Sequence, residues 1–259
     1  MRVTYIGHAT LLVEIGNQRL LTDPNFDNAL GRFLPRVSQP GIALTQLPNL
    51  DAILLTHAHA DHLSFPTLNQ LPRTIPLFAP PAVAAWLVRL GYNHASPLPA
   101  DSQVRIGDVV VHAATARHKG SRYSVDRWRS ATNMYLMDAG HESCFFAGDT
   151  ALTPDTHQLV AEILHRDRRR LDVALLPIGH APWWKPGFRR GHLSVDDALQ
   201  LFDRLEARYL VPYHWGTFEH VTSGAFDAIN RLKALLPMYS KRADVRILEP
   251  GHVLEHLPA

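Results

Sequence analysis

Residues 57–62 read His-Ala-His-Ala-Asp-His, three histidines and one aspartate within six positions. Imidazole and carboxylate are the usual protein ligands of zinc-type ions. In extended chain, residues two apart point to the same side. His57 and His59 can therefore grip one ion together, with only Ala58 and Ala60 beside them. Asp61 and His62 are adjacent and point apart unless the chain turns, which suits a second ion next to the first. Two neighbouring ions need a shared ligand, and a carboxylate has two oxygens to share. Asp149, isolated after an apolar run and flanked by Gly148 and Thr150, fits that role.

The cluster follows directly on a short apolar run, DAILL (51–55), and this placement recurs. RLLT leads to Asp23, VVVHAATAR to His118, CFFAG to Asp149 and YLVPY to His214. Polar groups at strand ends converge at one edge of a sheet, where loops build sites on a rigid base.

The elements that must position them follow from the pattern. RVTYI, TLLVEI and RLLTDP read as strands, with GNQ as a tight connection. Residues 25–50 are irregular, and a loop that long in a compact domain is more often functional than idle. Residues 80–92 have helical character and stop at Gly91. Strands are expected at 104–106, 109–113 and 133–138, with DAGHE as a hairpin connection. In LSVDDALQLFDRLEA, Ser194 is the expected N-cap, and Ala198, Phe202 and Leu205 share a face. GAFDAINRLKALLP is the last helix, and VRIL and HVLEHL are expected to close the fold as strands. The first half is mostly β and the second alternates strand and helix. With no break in composition, the simplest reading is one α/β domain over residues 1–259, sheets inside and helices outside.

Composition narrows the classes. Hydrophobic residues make up 46% and charged residues 19%, as in ordinary globular proteins. The net charge of +2 gives no argument for a nucleic-acid surface. The single cysteine, Cys144, excludes an intrachain disulfide and suits a cytoplasmic location. There is no signal-peptide pattern and no apolar run near the roughly 20 residues of a spanning helix, so no stable membrane anchor is expected.

HAHADH, together with IGHATLLVEI…RLLTDP, FAGDT and HWGTF in that order, resembles the metallo-β-lactamase-fold hydrolases. The resemblance covers nearly the whole chain. It is nearest to the branch containing N-acyl-phosphatidylethanolamine-hydrolysing phospholipase D and the ascorbate-phosphate lactonases. It implies an αββα sandwich of two mixed sheets, with a two-metal site at one edge. Carried over by position, His57, His59 and His118 hold the first ion. Asp61, His62 and His214 hold the second, and Asp149 bridges. His192, in GHLSVDDAL, corresponds to a histidine near the reacting group. Asp23 becomes a supporting hydrogen-bond partner, and His8, in GHAT, plays a similar part. Diiron redox relatives generally carry a carboxylate where His59 stands, so a histidine there favours hydrolysis. Zinc is the default ion, with manganese or iron suited to similar sites. His112 and His94 compete with His118, which is preferred because it lies beyond the strand rather than within it.

Two divalent ions lower the pKa of a bridging water and make hydroxide available for attack on phosphorus or carbonyl. His192 and Asp61 are the expected catalytic side chains, on substrate and nucleophile respectively. HAPWWKPGFRRGH (180–192) sets Trp183, Trp184, Lys185, Arg189 and Arg190 beside His192, and RHKGSRYSVDRWR adds further cations. Arginine and lysine suit phosphate or carboxylate. The expectation is a small anionic substrate, phospholipid-like included, most simply a phosphodiester. A phosphorylated sugar lactone is the alternative. A metal-binding regulatory module without turnover is the alternative of another class, disfavoured because every proposed ligand is present. RNA-cutting relatives often carry a large inserted domain, for which 259 residues leave no room, so no nucleic-acid partner is expected.

Overall fold

Alternation decides the first sheet. In β1 (Arg2–Gly7), β2 (Thr10–Ile15), β3 (Gln18–Thr22) and β6 (Ala52–Leu54), successive apolar side chains belong to different cores. Val3, Tyr5, Leu11, Val13, Leu20, Ala52 and Leu54 face one, and Ile6, Leu12, Leu21 and Ile53 the other. A strand with apolar residues on both faces must be covered on both faces. The structure, a computed structural model, describes residues 1–31, 34–122, 131–179, 187–219 and 223–256. Between β3 and β6 lies a small hairpin, β4 (Ala29–Leu30) with β5 (Leu34–Pro35).

The first sheet continues through β7 (Leu77–Ala79) and β8 (Ala95–Pro97), parallel to β6, and gains β15 (Val253–Glu255) beside β1. The second sheet contains β9 (Ser102–Ile106), β10 (Val109–Thr115), β11 (Asn133–Asp138), β12 (Ser143–Phe146), β13 (Val173–Pro177) and β14 (Tyr209–Tyr213). Its order is β14-β13-β12-β11-β10-β9, parallel as far as β12 and antiparallel beyond.

The larger core lies between the sheets and beneath α3 (Gln158–Ile163), α4 (Val195–Leu205) and α5 (Asp227–Leu235). The smaller core joins the other face of the first sheet to α1 (Phe65–Leu68) and α2 (Pro81–Arg89). The layers are therefore helix, sheet, sheet, helix, an αββα sandwich. Ser194 caps α4 by accepting from Asp197 N–H, and Asp197 accepts from Ser194 N–H in return. Ala198, Phe202 and Leu205 are buried together, as their spacing predicts.

One expectation is corrected. VRIL is not a strand: Val245 makes an isolated bridge to Leu210, with Arg246 N–H donating to the Leu210 carbonyl, and pairing ends there. The next ladder bond would come from the N–H of residue 212, which is Pro212 and has none.

Phe202 lies at 0% exposure between α4 and the sheet. Phe202→Ala should cost about 3–5 kcal/mol of unfolding free energy, read as a lower denaturant midpoint.

Candidate metal centre

The elements deliver the ligands to one edge. β1 ends just before His8, β3 just before Asp23 and β6 shortly before Thr56 and the 57–62 cluster. β10 leads to His118, β12 to Asp149 and β14 to His214. His62 and Leu63 N–H both donate to the His59 carbonyl. That turn lets the adjacent Asp61 and His62 join one cluster.

Two groups of donors result. His57, His59, His118 and Asp149 present atoms within 4.8 Å of one another, and so do His8, Asp61, His62 and His214. Asp149 stands between them. Its Oδ2 is 3.3 Å from His62 Nε2 and 3.9 Å from both His57 Nε2 and His118 Nε2. Its Oδ1 is 3.4 Å from His214 Nε2. His8 thus belongs to a donor group itself, with Nε2 3.0 Å from Asp61 Oδ2 and its ring 3.9 Å from that of His214. His192 Nε2 lies 3.4 Å from Asp149 Oδ2, at the more open side of the site.

Hydrogen bonds at the outer nitrogens fix which imidazole nitrogens face inward. Thr56 Oγ1 donates to Asp23 Oδ2 at 2.6 Å, so its lone pair accepts from His57 Nδ1–H at 2.9 Å. His62 Nδ1–H donates to the same Asp23 oxygen at 2.7 Å, and His118 Nδ1–H to the Gly191 carbonyl at 2.7 Å. His57 and His118 then point an unprotonated Nε2 at the cluster, and His62 does so in its neutral form. His57 Nε2 and Asp149 Oδ1, both buried, have no hydrogen-bond partner among the described residues. His118 Nε2 and His59 Nδ1 face each other at 3.1 Å, and His62 Nε2 and His214 Nε2 at 3.2 Å.

These spacings fit metal ions. Donors about 2.0–2.1 Å from a tetrahedral zinc stand about 3.3 Å from one another. The electrostatics agree. Asp23 and Asp149 are buried and Asp61 nearly so, and no lysine or arginine among the described residues pairs with them. Burial pushes the His57 imidazole well below its ordinary pKa, and its histidine neighbours push it further, so it stays neutral. Burial also opposes charge on His62, yet Asp149, Asp61 and Asp23 together hold it well above the ordinary value. The pocket attracts positive charge, and its donors are the nitrogen and oxygen atoms zinc-type ions take.

Sequence reasoning passed over several contributors. Thr56 relays Asp23 to His57. At Gly148 (φ +56°) a β-carbon would lie 2.7 Å from Thr56 Cγ2, so a side chain there would both strain the backbone and clash. Gly179 abuts the His214 carbonyl, where a β-carbon would collide. Asn25, Asp27 and Arg122 hold the cluster's loop by hydrogen bonds. The signal available for Thr56 was a hydroxyl directly before the first histidine. For Asn25 and Asp27 it was polar residues at alternate positions after Asp23. Among the expected substrate contacts, Arg189 is turned onto Asp197, with Nη2 2.8 Å from Oδ1. Arg190 is exposed, and Trp183, Trp184 and Lys185 lie outside the described residues.

Comparison with known proteins agrees with this geometry. Residues 18–215 match the model of the β-lactamase superfamily domain. A protein of Pyrobaculum aerophilum named a metal-dependent hydrolase is 28% identical over 98% of this chain and 100% of its own. The mitochondrial N-acyl-phosphatidylethanolamine-hydrolyzing phospholipase D of Saccharomyces cerevisiae is 30% identical over 86% of this chain and 48% of its own. In fold alone, the chain is similar to an isothiocyanate hydrolase from Delia radicum gut bacteria, with TM-score 0.77, 17% identity, and coverage of 98% and 99%. The chain belongs to the β-lactamase superfamily and is a metal-dependent hydrolase of its metallo-β-lactamase fold. No helix among the described residues is long and apolar enough to cross a membrane.

Asp23 orients two donor histidines at once, His57 through Thr56 and His62 directly. Asp23→Asn should weaken zinc retention about 10- to 100-fold while the fold is kept. Chelator competition measures the first, and far-ultraviolet circular dichroism the second.

Proposed function

We propose that this chain is a two-metal hydrolase acting on a phosphodiester-type or other anionic ester. The observation that carries the reading is the Asp149 carboxylate, which stands between the donor groups, with Oδ2 3.9 Å from His57 and His118 of the first and 3.3 Å from His62 of the second, and Oδ1 3.4 Å from His214. His57, His59 and His118 would hold one ion, and Asp61, His62 and His214 the other, with Asp149 shared. His8 would support Asp61. Zinc is the ion these donors suit best, and such a pair supplies a hydroxide nucleophile near neutral pH and offsets charge developing on the electrophile.

The remaining side chains have distinct tasks. Asp61 keeps 18% of its side chain exposed, with Oδ2 fixed by His8, and would orient the attacking group. His192, 17% exposed, would hydrogen-bond the substrate or the departing oxygen. Cations flank that side: Arg117 and Lys119 beside His118, and Arg190 beside Gly191, are all exposed. The bond from His118 to the Gly191 carbonyl joins the two segments that carry them. The named substrate of the yeast relative, a phospholipid diester, is consistent with an anionic preference.

Two experiments test the reading. His59→Ala and Asp149→Ala should each lower hydrolysis of a chromogenic phosphodiester by at least about 100-fold in folded protein, since losing a ligand costs more than losing its support. Retained turnover would defeat the assignment, and turnover of a lactone alone would shift the substrate class. Arg190→Glu should raise KM for the anionic substrate about 10-fold with kcat nearly unchanged, as expected when uniform binding is lost. Arg189→Glu should instead lower thermal stability, because its partner Asp197 completes the α4 cap.

A further inference from the structure

The segment after β3, Asp23-Pro24-Asn25-Phe26-Asp27, lies along the loop that carries the 57–62 cluster. Its side chains hold that loop at alternate positions, as extended chain allows. Asp23 holds Thr56 and His62. Asn25 Nδ2–H donates to the Ala60 carbonyl at 2.9 Å. Asp27 accepts from Ser64 Oγ at 2.7 Å and from Thr67 Oγ1 at 3.3 Å, at the start of α1. Arg36 braces the segment from behind. Its Nη2 donates to the Asn25 carbonyl and its Nε to the Asp27 carbonyl, each at 2.7 Å, and its guanidinium lies over Phe218.

Asn25 is the most constrained member. It is 1% exposed. Its Oδ1 accepts from Asp27 N–H at 3.0 Å and its own N–H donates to Thr10 Oγ1 at 3.0 Å. The bond from Asp27 N–H fixes which end of the amide is the oxygen, and the NH2 group at the other end meets Ala60 O. The Ala60 carbonyl belongs to the peptide that leads into Asp61, so its direction sets where the Asp61 carboxylate emerges. Among the described residues no other donor reaches that carbonyl. The loop on either side of that peptide is held elsewhere. Ala58 N–H donates to the Gly120 carbonyl, and Arg122 Nη1 donates to the Ala58 and Leu63 carbonyls.

Asp23 and Arg122 thus brace both halves of the cluster, whereas Asn25 alone among the described residues bonds the peptide that leads into Asp61. We propose that Asn25 is a positioning residue for Asp61, and that through Asp61 it controls the affinity of the second ion without controlling the first. This rests on the two-ion reading given above.

The test is zinc retention by the zinc-loaded wild type, Asn25→Ala and Asn25→Asp, resolved into successive affinities by chelator competition. Asn25→Asp keeps the Oδ1 acceptor and the side-chain shape but loses the donor. Both variants should hold the second zinc about 10- to 100-fold more weakly. The first should stay within about 2-fold, the usual scatter for uncoupled sites. Phosphodiester turnover by Asn25→Ala should fall at limiting zinc and recover when zinc is added in excess. A general loss of structure would not be rescued that way. Unchanged second-zinc affinity in Asn25→Ala would overturn the inference, and so would parallel weakening of both ions. If Asn25→Asp fails to fold, Asn25→Ala decides by the same criteria. A wild type that binds only one zinc would overturn the two-ion reading itself, and the inference with it.

Discussion

Burial of negative charge is the constraint on which this structure turns. Asp23 and Asp149 are buried and Asp61 is mostly covered, yet among the described residues no lysine or arginine neutralises them. An isolated buried carboxylate is expensive, and one left without a partner costs several kcal/mol. Histidines surround all three, but most of them are kept neutral by their own burial. His8 and His118 are each held down to about 3. Neutral imidazoles supply lone pairs instead of charge. The arrangement is therefore poor as an ion-pair network and good as a cage for cations.

The rest of the fold keeps that cage in shape. Its donors come from strand ends of two different sheets, so the sheets must be held in register at this edge. The tie is short. His214 N–H donates to the His8 carbonyl, while His8 N–H donates to Thr217 Oγ1 at 2.7 Å. His8, Asp23 and His214 all have left-handed backbones, at φ 56°, 34° and 67°. Such residues cost about 1–3 kcal/mol each and persist only where their surroundings over-determine them. Here the surroundings are hydrogen bonds and a dense core. The strain marks where the chain leaves a regular strand in order to aim a ligand.

Much of this could be read from the sequence, for a physical reason. Strand alternation and apolar runs report directly on which residues are buried, so the layers and the gathering of the candidate ligands after β6, β10, β12 and β14 were legible. The 57–62 spacing reported its own geometry. The missing strand at VRIL was not legible from propensity, because Pro212 on the partner strand ended the pairing. Residues that support ligands were harder still. Thr56, Asn25, Asp27 and Gly179 act by contacts made across 30 or more positions of chain, and short polar residues in loops carry no periodic signal. Arg189 looked like a substrate contact by composition. Only its distance from Asp197 showed that it serves a helix start.

The division between floor and rim explains how such a site can change substrate without losing its chemistry. His57, His62, Asp149 and His214, at 0–2% exposure, stand on strand ends locked by sheet hydrogen bonds and a packed core. Their geometry is costly to alter, because moving one disturbs both sheets. Arg117, Lys119 and Arg190 stand exposed on two segments joined by the bond from His118 to Gly191. The first segment is tied to the floor through backbone groups, Arg117 N–H to Thr150 Oγ1, Ala151 N–H to the Arg117 carbonyl and Ala58 N–H to the Gly120 carbonyl. Exchanging a rim cation leaves the floor's hydrogen bonds intact. Specificity can therefore drift at the rim while the metal cage stays fixed, and the function of a chain with this floor must be argued from its rim.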